Sequence, residues 1–400
     1  MARSNVAVVG AGPYGLSIAA HLRAKGVDHR VFGAPLETWR NGMPGSMLLK
    51  SDGFASDLSS PAAGSRLADY CLERGIPYHD TDIPVALSTF VDYGLDFQRR
   101  FVPHLEETTV TRVTAEGDGF RLDLANGETL TARRVVMAVG ITHFATMPPD
   151  FADVTPGRVT HAGQHRTFEE FAGRDVTVIG AGASAVDVAI DLAKAGAHSR
   201  LIARRGYVKF ASGVHNEKRS LVETVQHPGS GLGPGWRSRI CCDAPDAFRL
   251  LPVKARGEIV RRHLGPSSPW YLRDEFQELV EVRTGIRLGA VKEEESGPIR
   301  LELVGDEADI PYVVETDNVI CATGYRADLD RLTMLDDALR GHIRTLNDSP
   351  SLNPWFESSV PGLFFVGNAA AMSFGPLMRF MYGDTFAARR LGRRLSRTRG

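Results

Sequence analysis

Two glycine-rich turns in matching contexts are the residues of this 400-residue chain best suited to chemistry. In the first, Val6-Ala7-Val8-Val9 runs into Gly10-Ala11-Gly12-Pro13-Tyr14-Gly15 and then into the helix-like Leu16-Ser17-Ile18-Ala19-Ala20-His21-Leu22. That order spells a buried parallel strand, a tight turn and a helix. Gly10 allows the turn, Gly12 lets the backbone approach a pyrophosphate, and Gly15 lets the helix pack on the strand. Phosphates would rest on the helix N-terminus, where free N–H groups and the macrodipole favour anions. The pattern recurs 170 residues later, where Gly180-Ala181-Gly182-Ala183-Ser184-Ala185 stands between Asp175-Val176-Thr177-Val178-Ile179 and a second helix-like run. Ala185 replaces the last glycine, which the close-packing position accepts. One GxGxxG can arise by chance, but two in the same strand, turn and helix context imply two dinucleotide-binding domains.

The second strand of each unit sets nucleotide preference. His29 to Phe32 ends on Gly33, where an acid usually holds the adenosine ribose, so the ribose must use another acceptor such as Glu37 or do without one. The equivalent strand after the second turn ends on Arg204 and Arg205. Paired guanidiniums there suit a 2′-phosphate and favour NADPH over NADH, against the alternative of a solvent-exposed basic turn. His161 and His165 stand four apart and could be metal ligands, but no third ligand or HExxH context accompanies them. A hinge or nicotinamide-positioning role and plain loop histidines are the other readings, and no metal site is expected.

The elements that must position these residues follow in chain order. Residues 37 to 61 form a long loop rich in Gly, Ser and Asp, of the kind that carries function. Residues 88 to 102 read as an amphipathic helix opened by a Ser or Thr cap. Thr108 to Arg134 alternates and turns at Gly117-Asp118-Gly119 and Asn126-Gly127, a three-stranded β-meander feeding the buried strand that ends at Gly140. Pro148 and Pro149 mark a boundary. Residues 206 to 290 break the βα repeat as a mostly helical insertion, with helices around 246–263 and 270–282. Strands resume near 286–290, 298–304 and 310–315, followed by a buried strand ending in Ala322-Thr323-Gly324-Tyr325. A further strand reaches the turn at Gly367-Asn368, and a last helix is expected to start near Gly375-Pro376, with proline at N1. The fold class is α/β, with a first domain at 1–150 completed by 316–400, and a second at 151–315 inserted in it.

Composition narrows the partners. A net charge of −1 gives no field that would recruit nucleic acid. The basic cluster Arg389, Arg390, Arg393, Arg394, Arg397 and Arg399 reads as a solvated helix face fraying into a tail, with membrane-surface or partner docking as the alternative. The first strand leaves no room for a signal peptide and no apolar run spans a membrane, so a cytoplasmic protein is expected. Cys71, Cys241, Cys242 and Cys321 contain no CxxC pair, which argues against a dithiol reductase and a structural zinc site.

With these residues in view, the chain resembles the two-dinucleotide flavoproteins, and within them the class B-like flavin-dependent monooxygenases: flavin-containing monooxygenases, amine N-hydroxylases and Baeyer–Villiger enzymes. Gly10/Gly12/Gly15, Gly180/Gly182/Ala185, the strand ends Ala138-Val139-Gly140 and Ala322-Thr323-Gly324-Tyr325, and Gly367-Asn368 carry the resemblance. Asp317 followed by Cys321-Ala322-Thr323-Gly324-Tyr325 is similar to the DxxxLATGY stretch of amine N-hydroxylases, with Cys321 in place of Leu. Of the linker signature FxGxxxHxxxY/W, Gly157 and His161 fit, while Thr155 and His165 occupy the aromatic positions and Phe168 or Phe171 follows one turn later.

The resemblance implies that FAD lies on the first unit and the C-terminal segment and NADPH on the middle unit. Gly10, Gly12, Pro13, Tyr14, Gly15, Glu37, Trp39, Gly140, Gly367, Asn368 and Pro376 are the residues implied toward FAD. Gly180, Gly182, Ala183, Ser184, Arg204, Arg205, Ala322, Thr323, Gly324 and Tyr325 complete the cofactor set. Trp39 and Met43 either face the isoalloxazine or belong to the core. By family likeness, the last helix, starting at Pro376, points its N-terminus at the flavin's pyrimidine edge. The implied reaction passes one oxygen atom of O2 from a C4a-(hydro)peroxyflavin to a small nucleophilic substrate, foremost an amine. Baeyer–Villiger or sulfur oxygenation, a non-oxygenating NADPH–flavin reductase, and a redox-sensing binding protein are the alternatives. No catalytic residue is fixed beyond the candidates His161, His165, Trp39 and Met43; a homo-oligomer is compatible with the chain.

Overall fold

Val6, Ala7 and Val8 have no exposed surface because they form the middle of a sheet covered on both faces. They belong to β1 (Ala2–Val9), which runs through the glycine turn into α1 (Pro13–Ala24), and β2 (His29–Phe32) returns parallel beside it. The computed structural model describes residues 2–81, 83–211, 225–263, 267–294, 297–305 and 312–397. After β2 come α2 (Glu37–Asn41), α3 (Leu67–Arg74) and α4 (Leu87–Phe101). The N-cap of α4 is Ala86, with no side-chain cap, so the expected Ser or Thr cap is not used; Leu87, Phe90, Tyr93 and Phe97 bury its apolar face instead.

The meander is part of the first sheet. β3 (Leu105–Glu106) extends the sheet beyond β2, and β4 (Val110–Glu116), β5 (Gly119–Leu124) and β6 (Thr129–Met137) follow. β6 lies parallel to β1 along its length. On its other side, Leu130 to Ala132 pair antiparallel with β5 and Val135 to Met137 pair parallel with the late strand Leu363–Phe365.

The second unit repeats the plan. β7 (Val159–His161) and β8 (Asp175–Ile179) lead through the second turn into α5 (Ala183–Lys194) and β9 (His198–Ala203). Beyond lie α6 (Trp236–Asp243), α7 (Pro245–Phe248), α8 (Val253–Arg262), α9 (Arg273–Leu279) and β10 (Glu281–Thr284). The helix expected over 270–282 therefore stops at Leu279, because Glu281 to Thr284 pair parallel with β9. Phe276 of α9 joins the second core, so residues 273 to 284 are an ordinary crossover helix and strand rather than insertion. The start of the insertion at 212–224 lies outside the described residues. β11 (Ile286–Glu293), β12 (Ile299–Gly305) and β13 (Tyr312–Thr316) form an antiparallel sheet, and β14 (Asn318–Cys321) inserts between β8 and β7. The second unit thus extends through Cys321, past the expected boundary at 315.

The chain closes with α10 (Asp337–Gly341), the short pair β15 (Thr345–Leu346) and β16 (Ser349–Pro350), β17 (Leu363–Phe365), α11 (Ala371–Phe374) and α12 (Asp384–Ser396). Both sheets contain five parallel strands, β3-β2-β1-β6-β17 and β10-β9-β8-β14-β7; four correspond in order, while the outer strand beside β6 comes last in its sheet's chain order and the one beside β14 comes first. The last helix begins at Asp384, not Pro376. Gly375 at φ +86 admits only one 3-10 turn, Pro376–Arg379, before Phe380 becomes extended. Nor is the basic cluster simply a solvated face, since Arg390 makes a two-point ion pair with Asp246 of α7 at 2.5 and 2.6 Å. Among the described residues no helix is long and apolar enough to cross a membrane.

Candidate functional site

The glycines of the first turn separate into two kinds. A Cβ on Gly10, at φ +111, would stand 2.3 Å from the Ala138 carbonyl oxygen, and one on Gly15 would stand 1.9 Å from the Gly10 oxygen. Packing requires both. A Cβ on Gly12 would meet nothing within 4 Å, so its absence leaves a cradle that the protein itself does not need. Gly12 is the N-cap of α1 and gives no side-chain cap, which leaves the first-turn N–H groups for an anion. The residues present fit the pyrophosphate of a dinucleotide.

The second turn matches in its backbone. Gly180, at φ +150, lies so close to β14 that a Cβ would be 2.5 Å from the Ala322 oxygen. Gly182 is the N-cap of α5, again without a side-chain cap, and Ala183 and Ser184 open the helix. Beyond β9, Arg204 and Arg205 are exposed, and the Gly285 N–H donates to the Arg205 carbonyl at 2.9 Å.

Gly33 has a steric reason to replace the usual acid. Its N–H donates to the Glu106 carbonyl at 3.0 Å, its φ is +124, and a Cβ would lie 3.3 Å from the Ala11 nitrogen. Glu37 remains at the rim of the first turn because the Leu36 N–H donates to the Ala11 carbonyl at 3.0 Å; its exposed carboxylate accepts from Asn41 at 2.8 Å. Trp39, in the same short helix, packs on Phe90 with ring centroids 4.7 Å apart, and Met43 packs against the first core.

The strand ends Ala138-Val139-Gly140 and Ala322-Thr323-Gly324-Tyr325 lead into the two connections between units, which run side by side. The Thr146 N–H donates to the Gly324 carbonyl at 2.9 Å, the Arg326 N–H donates to the Phe144 carbonyl at 2.8 Å, and the Thr323 hydroxyl donates to the Thr146 carbonyl. His161 sits at this crossing. Its Nδ1 accepts from the Gly163 N–H at 3.1 Å, so its Nε2 carries the proton toward the Gly324 carbonyl at 3.2 Å, and its ring lies 5.0 Å from Tyr325. Burial lowers its pKa from the ordinary histidine value, against the opposing pull of the Gly324 hydrogen bond. His165 Nε2 bonds the Thr160 hydroxyl at 2.7 Å between Phe168 and Phe171, both buried. The two histidines lie on a strand end and a loop, each engaged with its own neighbours. Asp317 lies at the opposite end of β14 from Ala322, where it accepts from the Asp175 N–H at 2.9 Å.

The C-terminal segment wraps the first turn. The Tyr14 hydroxyl is positioned to donate to the carbonyls of Phe380 at 2.8 Å and Met378 at 3.2 Å, so this side chain straps the segment rather than pointing at a ligand. Gly367, at φ +66, presses on the Tyr14 ring, and the Asn368 beside it is half-buried. Pro376 and Leu377 are buried in a single 3-10 turn, which carries no helix macrodipole to direct at a flavin. Asp384 is buried at the start of α12 and accepts from Ser17 of α1 at 2.6 Å; burial pushes its carboxyl up to about 8.

Contacts between distant segments add residues that local patterns do not reveal. Lys50 of the long loop pairs with the buried Asp187 of α5 at 2.8 Å, and Ser46 donates to Asp191 at 2.6 Å. Thr38 Oγ1 stands 4.0 Å from where a Cβ on Gly140 would lie. Arg379 bridges the C-terminal segment and α8 through a 2.7 Å bond to the Val260 carbonyl.

A family model described as pyridine nucleotide-disulphide oxidoreductase matches residues 96–224. Indole-3-pyruvate monooxygenase YUCCA1 of Oryza sativa subsp. japonica is 30% identical over 202 residues, which is 49% of this chain and 47% of that protein. Trimethylamine monooxygenase of Pelagibacter sp. (strain HTCC7211) is 28% identical over 226 residues, 50% of this chain and 51% of that protein. The chain spans about half the length of these curated relatives. The reduced form of ornithine hydroxylase (PvdA) from Pseudomonas aeruginosa superposes with a TM-score of 0.77 at 18% identity, covering 98% of this chain and 99% of that one. The resemblance to flavin-dependent monooxygenases and the two-dinucleotide fold are borne out.

Proposed function

We propose that this chain, a relative of the flavin-dependent monooxygenases, is an oxidoreductase that takes FAD on the first turn and NADPH on the second and transfers oxygen to a small nucleophilic substrate, foremost an amine. The cradle at Gly12, where an added Cβ would meet nothing within 4 Å, carries the reading, because Gly182 caps α5 without a side chain at the equivalent point of a second sheet that shares the order of four strands. When bound, FAD supplies the electron transfer from NADPH and the oxygen activation that no side chain can. The uncapped starts of α1 and α5 hold the pyrophosphates, and Arg204 and Arg205 hold the 2′-phosphate. Tyr14 keeps the C-terminal segment closed over the first turn, while the His161, Gly324 and Tyr325 contacts fix the crossing through which the units are linked. The amine preference is supported by the stretch ending in Ala322-Thr323-Gly324-Tyr325 and by the fold shared with ornithine hydroxylase.

The purified protein should be yellow and release FAD rather than FMN. Gly12→Asp should strip at least nine-tenths of the flavin while leaving the circular dichroism spectrum native, because the new carboxylate occupies the cradle without striking the protein. Retained wild-type occupancy would sink the site assignment. With ¹⁸O2 and an amine panel, NADPH oxidation should rise and one labelled atom should enter the product. A second reading, a non-oxygenating NADPH–flavin reductase, is favoured by the family model over 96–224. It requires NADPH consumption with an added electron acceptor and no labelled product.

A further inference from the structure

β6 carries a charge where its alternation calls for an apolar side chain. Leu130, Ala132, Arg134 and Val136 share the inner face of the strand and all four are buried, Arg134 to nine-tenths. The side-chain hydrogen bond of Arg134 among the described residues runs from Nη1 to the Leu395 carbonyl, in the last turn of α12, at 3.4 Å. A helix cap of that kind uses one of the five guanidinium N–H groups. Arg134 also lines a cavity of about 200 Å³, together with Arg133 and Arg394. Like charges crowd there: burial, then the charges of Arg133 and Arg394, lower the pKa of Arg134, with Glu357 opposing them. Glu357 is already engaged, its two oxygens accepting from the Gly362 N–H at 2.9 Å and from Asn353 Nδ2 at 3.1 Å, and it stands 3.7 Å from Arg394. The other acid of the lining, Asp118, is exposed on the turn between β4 and β5. A buried guanidinium with open donors and no carboxylate bonded to it among the described residues is stabilised by an anion.

We infer that Arg134, with Arg133 and Arg394, binds the phosphoryl group of a small molecule, as inorganic phosphate or as a phosphate monoester, at a site apart from both nucleotide turns. Arg133 and Arg134 leave opposite faces of β6 and Arg394 comes from α12, so donors approach from three directions. A tetrahedral oxyanion takes hydrogen bonds from all of them, whereas a planar carboxylate is satisfied by one guanidinium fork. Position separates this site from the dinucleotides. Ligands of parallel sheets bind beyond the leaving ends of the strands, where Gly10 and Gly180 abut the carbonyls of Ala138 and Ala322. The cavity lies instead at the entering end of β17, beside Gly362, and Arg134 precedes Ala138 by roughly 13 Å along β6.

The test uses the FAD-loaded protein saturated with NADP⁺, so that both glycine turns are filled, in chloride buffer at constant ionic strength. Calorimetric titration with inorganic phosphate should show saturable binding at a single site, and glycerol 3-phosphate should compete for it; the tighter of the two names the source. Acetate should bind about tenfold more weakly or worse. Arg134→Gln should raise the phosphate Kd about ten- to a hundredfold, with Arg134→Lys between it and the wild type. Because Arg134 is buried, the half-buried Arg394 supplies a second variant, and Arg394→Gln should raise the Kd about threefold or more without disturbing the core. Gly12→Asp, which empties the first turn, should bind phosphate as the wild type does. Phosphate should also raise the melting temperature of the wild type and not that of Arg134→Gln, whereas a role confined to capping α12 predicts no effect of phosphate on either. Absence of saturable binding, acetate as tight as phosphate, loss of binding in Gly12→Asp, or a Kd unmoved by Arg394→Gln in a protein with native circular dichroism would overturn the assignment.

Discussion

The third position of the first glycine turn admits nothing larger than hydrogen, whereas the corresponding position of the second is filled by Ala185, itself fully buried. Everything behind the two turns is alike. The Gly10 N–H donates to the Phe32 carbonyl at 2.8 Å as the Gly180 N–H donates to the Ile202 carbonyl at 3.0 Å, and each turn abuts the carbonyl of an alanine ending a parallel strand. The finish differs. α1 is packed hard onto its own turn, while α5 stands off far enough for a methyl group. Two residues beyond that position, Ser17 ties α1 to the buried Asp384 of the last helix, and Asp187 ties α5 to Lys50 of the first unit's loop. The first turn is thus locked within its own unit, and the second is held by a contact from the other.

The sharpest way to break the comparison is Gly15→Ala. Its Cβ would lie 1.9 Å from a backbone oxygen, which no side-chain adjustment relieves, so a cost of ~3 kcal/mol or more is expected. Urea unfolding should show a large loss of stability and the protein should purify without flavin. A variant with wild-type midpoint and colour would refute the tight packing of α1.

A pH effect follows from the clamp on α1. Burial raises Asp384 to about 8, against ~3.9 for an unfolded aspartate. Between about pH 4 and 8 the folded protein keeps a proton that the unfolded chain has released, so stability falls as pH rises, by up to ~1.4 kcal/mol per pH unit, and levels off above about 8. Asp384→Asn should flatten that slope while its amide oxygen still accepts from Ser17. A residual fall should remain at the acid end from Asp57, which burial pushes up to about 6. Urea midpoints from pH 5 to 8.5 that run parallel in wild type and variant would remove Asp384 as the cause.

What was legible in the sequence follows the same divide between local and distant. Gly12 and Gly15 could be read because each acts within a few residues of itself, Gly10 because its turn does so even though it also abuts the distant Ala138 carbonyl, and β11 to β13 because their alternation is local. The position of the last helix could not. Pro376 is a true N1 signal, but Gly375 and the extended Phe380 confine it to one turn, and α12 starts where Asp384 finds Ser17, 367 residues away in sequence. Likewise Glu281 to Thr284 carry no strand pattern, two of the four being charged, and become β10 only through pairing with β9. Asp317 lies beside a motif in sequence yet at the far end of its strand in space. Lys50 and Arg379 lack any motif, and only the packed chain shows what they touch.

Nucleotide choice tests the other face of the comparison, the strand ends at Gly33 and Arg204-Arg205. Arg204→Ala combined with Arg205→Ala should raise KM for NADPH about ten- to a hundredfold, corresponding to ~1.5–3 kcal/mol for a lost charge-assisted phosphate contact, and leave KM for NADH nearly unchanged. Equal use of the two nucleotides by the wild type would make the pair a solvated turn and leave the second unit without a chosen phosphate.

The smallest effect is expected from the converse of the first substitution, Ala185→Gly. Ala185 donates its N–H to the Gly182 carbonyl at 3.0 Å in the first turn of α5, a bond glycine keeps, so only the buried methyl and some backbone restriction are lost. Removing one buried carbon costs ~0.8 kcal/mol, and glycine near a helix start adds a few tenths, for a total of about 1 kcal/mol. KM for NADPH should stay within twofold, because the phosphates meet the N–H groups at Gly182 to Ser184 and not the inner face of the helix. The same change cannot be silent if α5 is as tightly seated as α1, since the vacated space would then let the helix settle onto Gly180 and move those N–H groups. A loss of stability approaching that of Gly15→Ala, or a tenfold change in NADPH affinity, would show that both turns are locked from within and that Lys50 and Asp187 merely decorate the second.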